Sequence, residues 1–183
     1  VPAGRRETPD LKGQTSALPW VSDLRENTRR RKKNMSYTQS LYHIVIRTKY
    51  SGQTIVEEYE KELYAYLVGI AKNKKAFVYR IGGMPDHIHI LADLHPTVSL
   101  SDFVRDLKEY SSKWLKNNAH FPDFDGWGEG YAAFSRSFRD RMETINYIKG
   151  QKEHHKKQKF DDEYRAFLEE NEVEIDERYF LKD

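Results

Sequence analysis

The 183-residue sequence predicts an α+β protein in which helices cover one face of an antiparallel sheet. Three observations lead to this class. Four short segments are rich in β-branched and aromatic residues, longer segments with helical periodicity separate most of them, and a turn signal joins the two middle strands. The resulting order is strand, helix, strand, strand, helix, strand, helix. This order is typical of a ferredoxin-like or RRM-like fold with one additional helix after the last strand.

The first half of the predicted domain contains three strands and one helix. Alternating β-branched and aromatic residues predict the strands, and apolar residues at helical spacing predict the helix. A short turn at Met84–Asp86 predicts that the second and third strands form a hairpin. The segments are the strands at 41–50, 76–85 and 87–94 and the helix at 56–74.

The second half contains two long helices and a short strand. Ser99, with Asp102 three residues later, is typical of a helix N-cap and predicts a helix over 99–118. A loop follows at 121–130. The remaining predicted elements are a strand at 130–137, a helix at 139–158, and a short helix with an extended tail at 160–180.

Composition limits the classes of function. Charged residues make up 33% of the chain and apolar residues 38%, which is typical of a soluble globular domain. No apolar run approaches the roughly 18–20 residues of a membrane span, and the first residues lack the apolar core of a signal peptide. Cysteine is absent, which excludes disulfides and thiolate metal ligands and is compatible with a reducing cytoplasm.

The first 34 residues differ from the rest of the chain. They contain nine Lys or Arg, four Asp or Glu, three prolines and no sustained apolar period. Residues 1–34 are therefore predicted to be a disordered or foreign, loosely attached basic extension, with a basic arm that touches DNA as the alternative, and residues 35–183 a single domain. That domain carries 22 basic and 25 acidic residues, so nucleic-acid binding would have to use local basic patches.

The segment MPDHIHILADL carries the first chemical signal. Strand side chains alternate between faces, so His87 and His89 share one face while Ile88 and Ile90 share the other. A core strand gains nothing from two neighbouring imidazoles, whereas a metal site does. Imidazole suits divalent transition metals, and added oxygen ligands also suit Mg²⁺ or Mn²⁺. We predict that the two histidines are metal ligands, with a purely structural pair as the alternative.

The helix at 139–158 offers a third ligand. Tyr147 and Gln151 are four residues apart and lie on one helix face, with His154 one turn further on. The Gln151 amide offers a neutral oxygen ligand, and the Tyr147 phenol offers a nucleophile for phosphorus. A phenol is protonated at neutral pH, so its attack needs a phosphate polarised by a bound metal. A half-buried helix tyrosine without a chemical role is the competing interpretation.

Together these segments resemble the single-tyrosine HUH transposases of small insertion sequences, including the REP-associated type. That family combines a His-hydrophobic-His strand motif with a later helix that carries Tyr and, four residues on, Gln. Matching segments follow in the family's order from Tyr37 to Lys182, and residues 1–34 have no counterpart. The segments are YHIVIRTKY, MPDHIH, GWGEGYAAFSRS, YIKGQKEHH and FDDEYRAFLEENEVEIDERYF.

The resemblance implies a chemistry and a set of partners. Tyr147 would attack a phosphodiester of single-stranded DNA, form a 5′-phosphotyrosine link and release a 3′-hydroxyl, and reversal at a second end would transfer the strand. His87, His89 and Gln151 would hold Mg²⁺ or Mn²⁺ at the scissile phosphate. The implied partners are DNA hairpins at element ends and a second copy of the chain, whose tyrosine helix can complete the site. The implied location is the cytoplasm of a bacterial or archaeal cell, at its DNA.

Basic side chains near these motifs are further candidates. Arg47 and Lys49 alternate along the first strand and are predicted to contact DNA across the sheet. Asp86 is predicted to have a role in the turn, with orientation of a neighbouring histidine as the alternative. The tyrosine helix adds four candidates for DNA contact, for which a solvated charged face is the alternative. These are Lys149, Lys152, His154 and Lys156.

Three other functions stay open. An RRM-like single-stranded nucleic-acid-binding protein without catalysis would use exposed aromatic residues where this sequence has His87 and His89. A domesticated repeat-hairpin endonuclease would keep the same catalytic residues as a transposase. A metal-dependent hydrolase that activates water would need a base, and the sequence places no carboxylate at an obvious position for one.

Overall fold

A computed structural model describes residues 37–154, 160–178 and 180–183, and the predicted extension at 1–34 lies outside them. Four strands and four α-helices occur in these described ranges, in the predicted order. The strands are β1 (Leu41–Arg47), β2 (Phe77–Met84), β3 (His87–Asp93) and β4 (Ala132–Ser135). The helices are α1 (Glu60–Asn73), α2 (Leu100–Lys116), α3 (Arg141–His154) and α4 (Phe160–Glu170).

The strands form one antiparallel sheet in the order β2-β3-β1-β4. β1 and β3 occupy the centre, and their register places Val45 opposite His89 and Arg47 opposite His87. The predicted hairpin between β2 and β3 is present, with Met84 opposite His87 at its turn. This arrangement confirms the predicted ferredoxin-like α+β fold.

The main hydrophobic core lies between one face of the sheet and the helices α1 and α2. Isoleucines of the two central strands, such as Ile44 and Ile88, pack there against Leu63 and Leu67 of α1. The predicted N-cap of α2 is confirmed, because the Asp102 amide donates a hydrogen bond of 3.1 Å to the Ser99 hydroxyl. The prediction of helices on one face is thus correct for α1 and α2.

The opposite face of the sheet is covered by α3 and α4. Ile145 and Ile148 of α3 pack against Leu91 and neighbouring side chains of β2. Phe160 and Phe167 of α4 pack against Val45 and β4. The histidines of β3 therefore lie between the sheet and two helices rather than on an open surface.

Within the described ranges, two predicted boundaries differ from the structure by more than two residues. β1 ends at Arg47, and Lys49 lies in a 3₁₀ turn at Lys49–Ser51, so the predicted alternation of Arg47 and Lys49 along one strand is wrong. Thr48 is still extended and donates its backbone N–H to the Asp86 carbonyl, and the chain then leaves the sheet in the 3₁₀ turn, where Tyr50 adopts a left-handed φ of 55°. α1 begins at Glu60, after a separate 3₁₀ turn at Glu57–Tyr59. Among the described residues, no helix has the length and apolar character needed to cross a membrane.

Candidate functional site

The two histidines of β3 lie side by side in the interior. His87 is fully buried and His89 is 2% exposed, and their ring centroids are 5.0 Å apart. They share one face of the sheet because they are two residues apart on a strand, as the sequence predicts. Buried polar rings need hydrogen-bonding or metal partners, so their neighbours define what the site can do.

Each histidine is oriented through Nδ1. Asp86 Oδ1 lies 2.6 Å from His87 Nδ1, the contact expected of the orienting role that was the alternative to a turn role, and His43 Nε2 lies 3.0 Å from His89 Nδ1. Burial, assisted by the Arg136 cation, lowers the pKa of His43 to about 3, so this ring is neutral. With Nδ1 engaged in both rings, Nε2 is the nitrogen that would serve as the metal ligand.

Helix α3 brings Tyr147 and Gln151 to the histidines of the same chain. Gln151 is buried, and its Oε1 lies 3.5 Å from His87 Nε2. The Tyr147 ring lies 5.7 Å from the ring of His89 and 5.8 Å from that of His43. The predicted shared helix face is therefore present, and it points at the histidine pair.

Glycine at position 82 permits this close docking of α3. A Cβ atom built on Gly82 would lie 2.8 Å from the Ile148 carbonyl oxygen, a distance that real side chains do not show. Tyr147 and Gln151 flank Ile148 on the helix. The distance of Tyr147 and Gln151 from β3 therefore depends on residue 82 being a glycine, which has no side chain.

A carboxylate from α4 enters the same site. Glu163 Oε1 accepts a hydrogen bond of 2.5 Å from the Tyr147 hydroxyl and one of 2.9 Å from the Gln151 amide nitrogen. Its Oε2 lies 4.0 Å from His87 Nε2. Burial, followed by the hydrogen bond to Glu163, raises the pKa of the Tyr147 phenol. The inference that no carboxylate is placed to act as a base is therefore wrong.

Glu163 reaches the site because α4 folds back across the sheet. Phe160 and Phe167 anchor the helix, and the Phe160 ring stacks on His87 with centroids 4.2 Å apart. Glu163 follows Phe160 by three residues and precedes Phe167 by four, so it shares their inward face. The sequence signal for Glu163 is an acidic residue on a helix face that is otherwise apolar. No comparable local signal marks His43, whose position depends on the pairing of β1 with β3.

The donor set fits a divalent metal ion. Ligand atoms of His87, His89 and Glu163 all lie within 4.8 Å of one another, and Gln151 Oε1 borders the group. Two imidazoles with amide and carboxylate oxygens form a mixed nitrogen–oxygen set that Mn²⁺ accepts and that is compatible with Mg²⁺. Gln151 Oε1 faces His87 while its amide nitrogen faces Glu163, so the amide presents its oxygen toward the histidines.

The basic residues predicted to contact DNA are distributed around this site. Arg47 is buried against Asp183, and Lys49 pairs with Asp125 at 2.9 Å on the surface. Lys156 and the side chain of His154 lie outside the described residues. Arg47 and Lys49 thus each pair with a carboxylate within the part of the chain that the structure describes.

Lys149 and Lys152 line an open groove of about 360 Å³ beside the tyrosine helix. Gln151 and the backbone of Gly82 and Gly83 form other parts of its wall. Lys152 also pairs with Glu57 and Glu60, each at 2.8 Å. The groove is open to solvent and reaches Gln151 beside the histidine pair.

Comparison with known proteins defines the class. The family described as IS200-like transposases matches residues 36–151, which include β1 to β4 and the site residues up to Gln151. Because this match covers more than half of the sequence, the chain belongs to the IS200-like transposase family.

Individual relatives agree with this assignment. The chain is 29% identical over 128 residues to the ISDra2 transposase TnpA of Deinococcus radiodurans, covering 66% of this chain and 90% of that protein. It is similar to the crystal structure of a candidate transposase from Deinococcus radiodurans R1, with 28% identity and a TM-score of 0.50 over 66% of this chain and 96% of that one. It also shares its fold with a REP-associated tyrosine transposase bound to a REP hairpin, at 12% identity and a TM-score of 0.51, over 67% of this chain and 72% of that one.

Proposed function

We propose that this protein cleaves and rejoins single-stranded DNA at element ends, with Tyr147 as the nucleophile. The observation that supports this most strongly is the convergence of Tyr147 and Gln151 on the buried pair His87 and His89. Membership of a transposase family makes DNA strand transfer the expected outcome of such a site. The hairpin bound to one structural neighbour makes a DNA hairpin the first substrate to test.

In the proposed reaction the Tyr147 hydroxyl oxygen attacks the phosphorus of one phosphodiester. A bond forms between phosphorus and the tyrosine oxygen, and the bond between phosphorus and the 3′-oxygen breaks. The products are a 5′-phosphotyrosine and a strand with a free 3′-hydroxyl, which takes up one proton as the tyrosine releases one. A second 3′-hydroxyl reverses the step, so strand transfer needs no nucleotide hydrolysis because the number of phosphodiester-type bonds is unchanged.

The chain's own residues orient this attack. Glu163 holds the Tyr147 hydroxyl through a 2.5 Å hydrogen bond and faces its proton. His87, His89 and Gln151 would hold Mg²⁺ or Mn²⁺, with Glu163 as an additional oxygen donor. A bound divalent ion would supply positive charge that stabilises the charge developing on the phosphate oxygens.

The proposed assembly is a homodimer in which each tyrosine helix serves its own chain. Tyr147 lies beside His43 and His89 of the same chain, and Ile148 fits closely against Gly82. If α3 were exchanged between subunits, the contact between Ile148 and Gly82 of the same chain would be lost. A cis arrangement therefore suits the docking described above better than a trans arrangement.

Glu163 also supports a second candidate function, a metal-dependent nuclease that uses water. A buried carboxylate beside the histidine pair is what such an enzyme needs as a base. In that reaction Tyr147 would be dispensable and no covalent adduct would form. The two candidates therefore differ in two measurable properties, the requirement for Tyr147 and the formation of a covalent adduct.

The test uses labelled single-stranded hairpins taken from the DNA that flanks the gene, with Mg²⁺ or Mn²⁺, analysed on a denaturing gel. We expect a protein–DNA adduct with the wild-type protein that is absent with EDTA and with Tyr147→Phe. Tyr66→Phe is the matched control, because Tyr66 stacks on Trp114 on the other side of the sheet. Cleavage that survives Tyr147→Phe would replace the transposase reaction with the water-using nuclease.

A further inference from the structure

A second polar cluster lies at the end of β1, next to the histidine pair. Arg47 Nη1 and Nη2 donate to the two Asp183 carboxylate oxygens at 2.7 and 2.9 Å. The backbone N–H of Glu129 donates to Asp183 Oδ1 at 2.5 Å, and that of Tyr50 donates to Oδ2. Four donors therefore surround one carboxylate, with the side chains of Arg47 and Asp183 only 8% and 3% exposed.

The surrounding backbone is shaped to hold the guanidinium in place. A Cβ atom at position 128 would lie 2.8 Å from Arg47 Cζ, so glycine is what leaves room for the arginine. The Gly128 amide also donates to the Arg47 carbonyl at 2.9 Å. Tyr50 directs its N–H inward from a left-handed conformation that residues other than glycine rarely adopt. We call Arg47 and the amides of Tyr50 and Glu129 the Arg47 cradle.

A further cation lies beside the cradle. Lys108 Nζ donates to the carbonyls of Gly128 at 2.6 Å and Gly130 at 3.0 Å. Burial and the nearby Arg47 lower the pKa of Lys108, whereas Asp183 raises it. Both cations favour an anion at this end of β1, and Asp183 supplies that anion in the described structure.

The position of the cradle relates it to the catalytic site. Arg47 pairs directly with His87 across β1 and β3, and alternation along β1 places its side chain on the histidine face. Directly opposed residues of antiparallel strands have Cβ atoms about 5 Å apart. A DNA strand with its scissile phosphate at the histidine pair would therefore bring an adjacent phosphate toward Arg47.

The chemistry of the cradle suits a phosphate as well as a carboxylate. A guanidinium fork binds both anions through two parallel hydrogen bonds, and inward-facing backbone amides add donors that need no side chain. The Asp183 carboxylate oxygens thus stand in for two non-bridging phosphate oxygens. Asp183 belongs to the segment after α4, so the same C-terminal part of the chain places Glu163 at the histidines and Asp183 in the cradle.

We propose that the Arg47 cradle binds a backbone phosphate of single-stranded DNA beside the scissile phosphate, and that Asp183 occupies the cradle until DNA displaces it. This inference rests on the proposed function, because it assumes that DNA approaches the histidine face. Removing the Asp183 charge then strengthens DNA binding, and removing the Arg47 charge weakens it.

The experiment measures binding of a fluorescein-labelled oligothymidylate by anisotropy, in EDTA, over a series of salt concentrations. The full chain is compared with Asp183→Asn and with Asp183→Asn/Arg47→Gln, after thermal melting shows that each is folded. We expect Asp183→Asn to bind several-fold more tightly than wild type. We expect the double variant to lose that gain and to lower the slope of log K against log salt by about 0.7, the value for one phosphate contact on a single strand.

Glu177→Gln is the matched control. It removes one negative charge from the same segment, where Glu177 pairs with Arg165 at 2.5 Å instead of with Arg47. An equal gain in affinity from Glu177→Gln and Asp183→Asn would show a general charge effect and overturn the proposal. Equal affinity of wild type and Asp183→Asn for the oligonucleotide would also overturn the proposal. This comparison is sufficient by itself if the double variant does not fold.

A last arm separates a DNA phosphate from a free one. Thermal melting of Asp183→Asn with inorganic phosphate reports whether the cradle takes the small anion. Stabilisation by phosphate with no gain in oligonucleotide affinity would assign the cradle to a free phosphate and overturn the DNA assignment. Because these assays need no cleavage, adduct formation with unchanged binding would refute the cradle alone, and altered binding without an adduct would refute only the proposed reaction.

Discussion

Replacement of Gly82 by alanine tests how closely the tyrosine helix must dock. The added Cβ would lie 2.8 Å from the Ile148 carbonyl oxygen and 2.9 Å from Ile148 Cγ2, whereas ordinary contacts begin near 3.4 Å. The strand and α3 must therefore separate by about half an ångström. Tyr147 precedes Ile148 and Gln151 follows it by three residues, so both would move away from the histidines.

The expected magnitude follows from two effects. Misplacement of a reacting group by about 1 Å costs about 10²-fold in rate, so half that displacement is expected to cost roughly tenfold. Overpacking of a filled interior lowers the free energy of unfolding by about 1–3 kcal/mol. Gly82→Ala should therefore remain folded at low temperature while it forms the protein–DNA adduct about ten times more slowly.

The assay is a single-turnover time course of adduct formation, with circular dichroism and urea unfolding on the same samples. Gly52→Ala is the matched control, because a Cβ there meets its nearest atoms at 3.4 Å and the backbone has an ordinary φ of −69°. It should leave the adduct rate unchanged. A folded Gly82→Ala protein with the wild-type rate would refute the reasoning that close docking of α3 sets the geometry of attack.

Three further predictions follow from the site and the fold. Asp86→Asn and His43→Leu should each weaken Mn²⁺ binding by about 10–100-fold in calorimetric titration, because each removes a group that orients a metal-binding histidine; unchanged affinity would argue against a metal at this pair. A mixture of His89→Ala and Tyr147→Phe proteins should form no adduct, since the nucleophile serves its own chain, and a restored adduct would show that subunits share sites. Ser99→Ala should lower the free energy of unfolding in urea by about 1 kcal/mol and leave the adduct rate unchanged, and a rate loss would mean that α2 contributes to the site.

The fold was predictable because local patterns and global topology agree. Period-two runs gave all four strands, helical spacing gave the helices, and the turn at Met84–Asp86 gave the hairpin. His87 and His89 were equally predictable, because strand alternation alone places them on one face. Helical spacing predicted that Tyr147 and Gln151 share one face of their helix. Their position beside the histidines agrees with the family resemblance.

The parts that sequence reasoning missed depend on long-range packing. Glu163 is 76 positions from His87 along the chain, and only the folding back of α4 on its two phenylalanines brings them together. His43 reaches His89 through the register of β1 against β3, which no local pattern specifies. Lys49 was misplaced because it lies in a 3₁₀ turn, where its backbone N–H donates to the distant Gly126 carbonyl, again a long-range interaction.

The C-terminal segment changes how the site is understood. The sequence motifs alone predict a pair of histidines that bind a metal ion beside a nucleophilic tyrosine. The structure adds two carboxylates: Glu163, which accepts a hydrogen bond from Tyr147, and Asp183, which pairs with Arg47 where a DNA phosphate is proposed to bind. Under that proposal, DNA must displace Asp183 from Arg47.

The most direct test of the central claim is to identify the residue that becomes attached to DNA. The adduct would be digested with nuclease and trypsin and analysed by mass spectrometry. The tryptic peptide METINYIK contains Tyr147 as its one tyrosine, which makes the assignment unambiguous. The account predicts a 5′-phosphonucleotide on this peptide. A nucleotide on any other peptide, or cleaved DNA with no modified peptide, would contradict it.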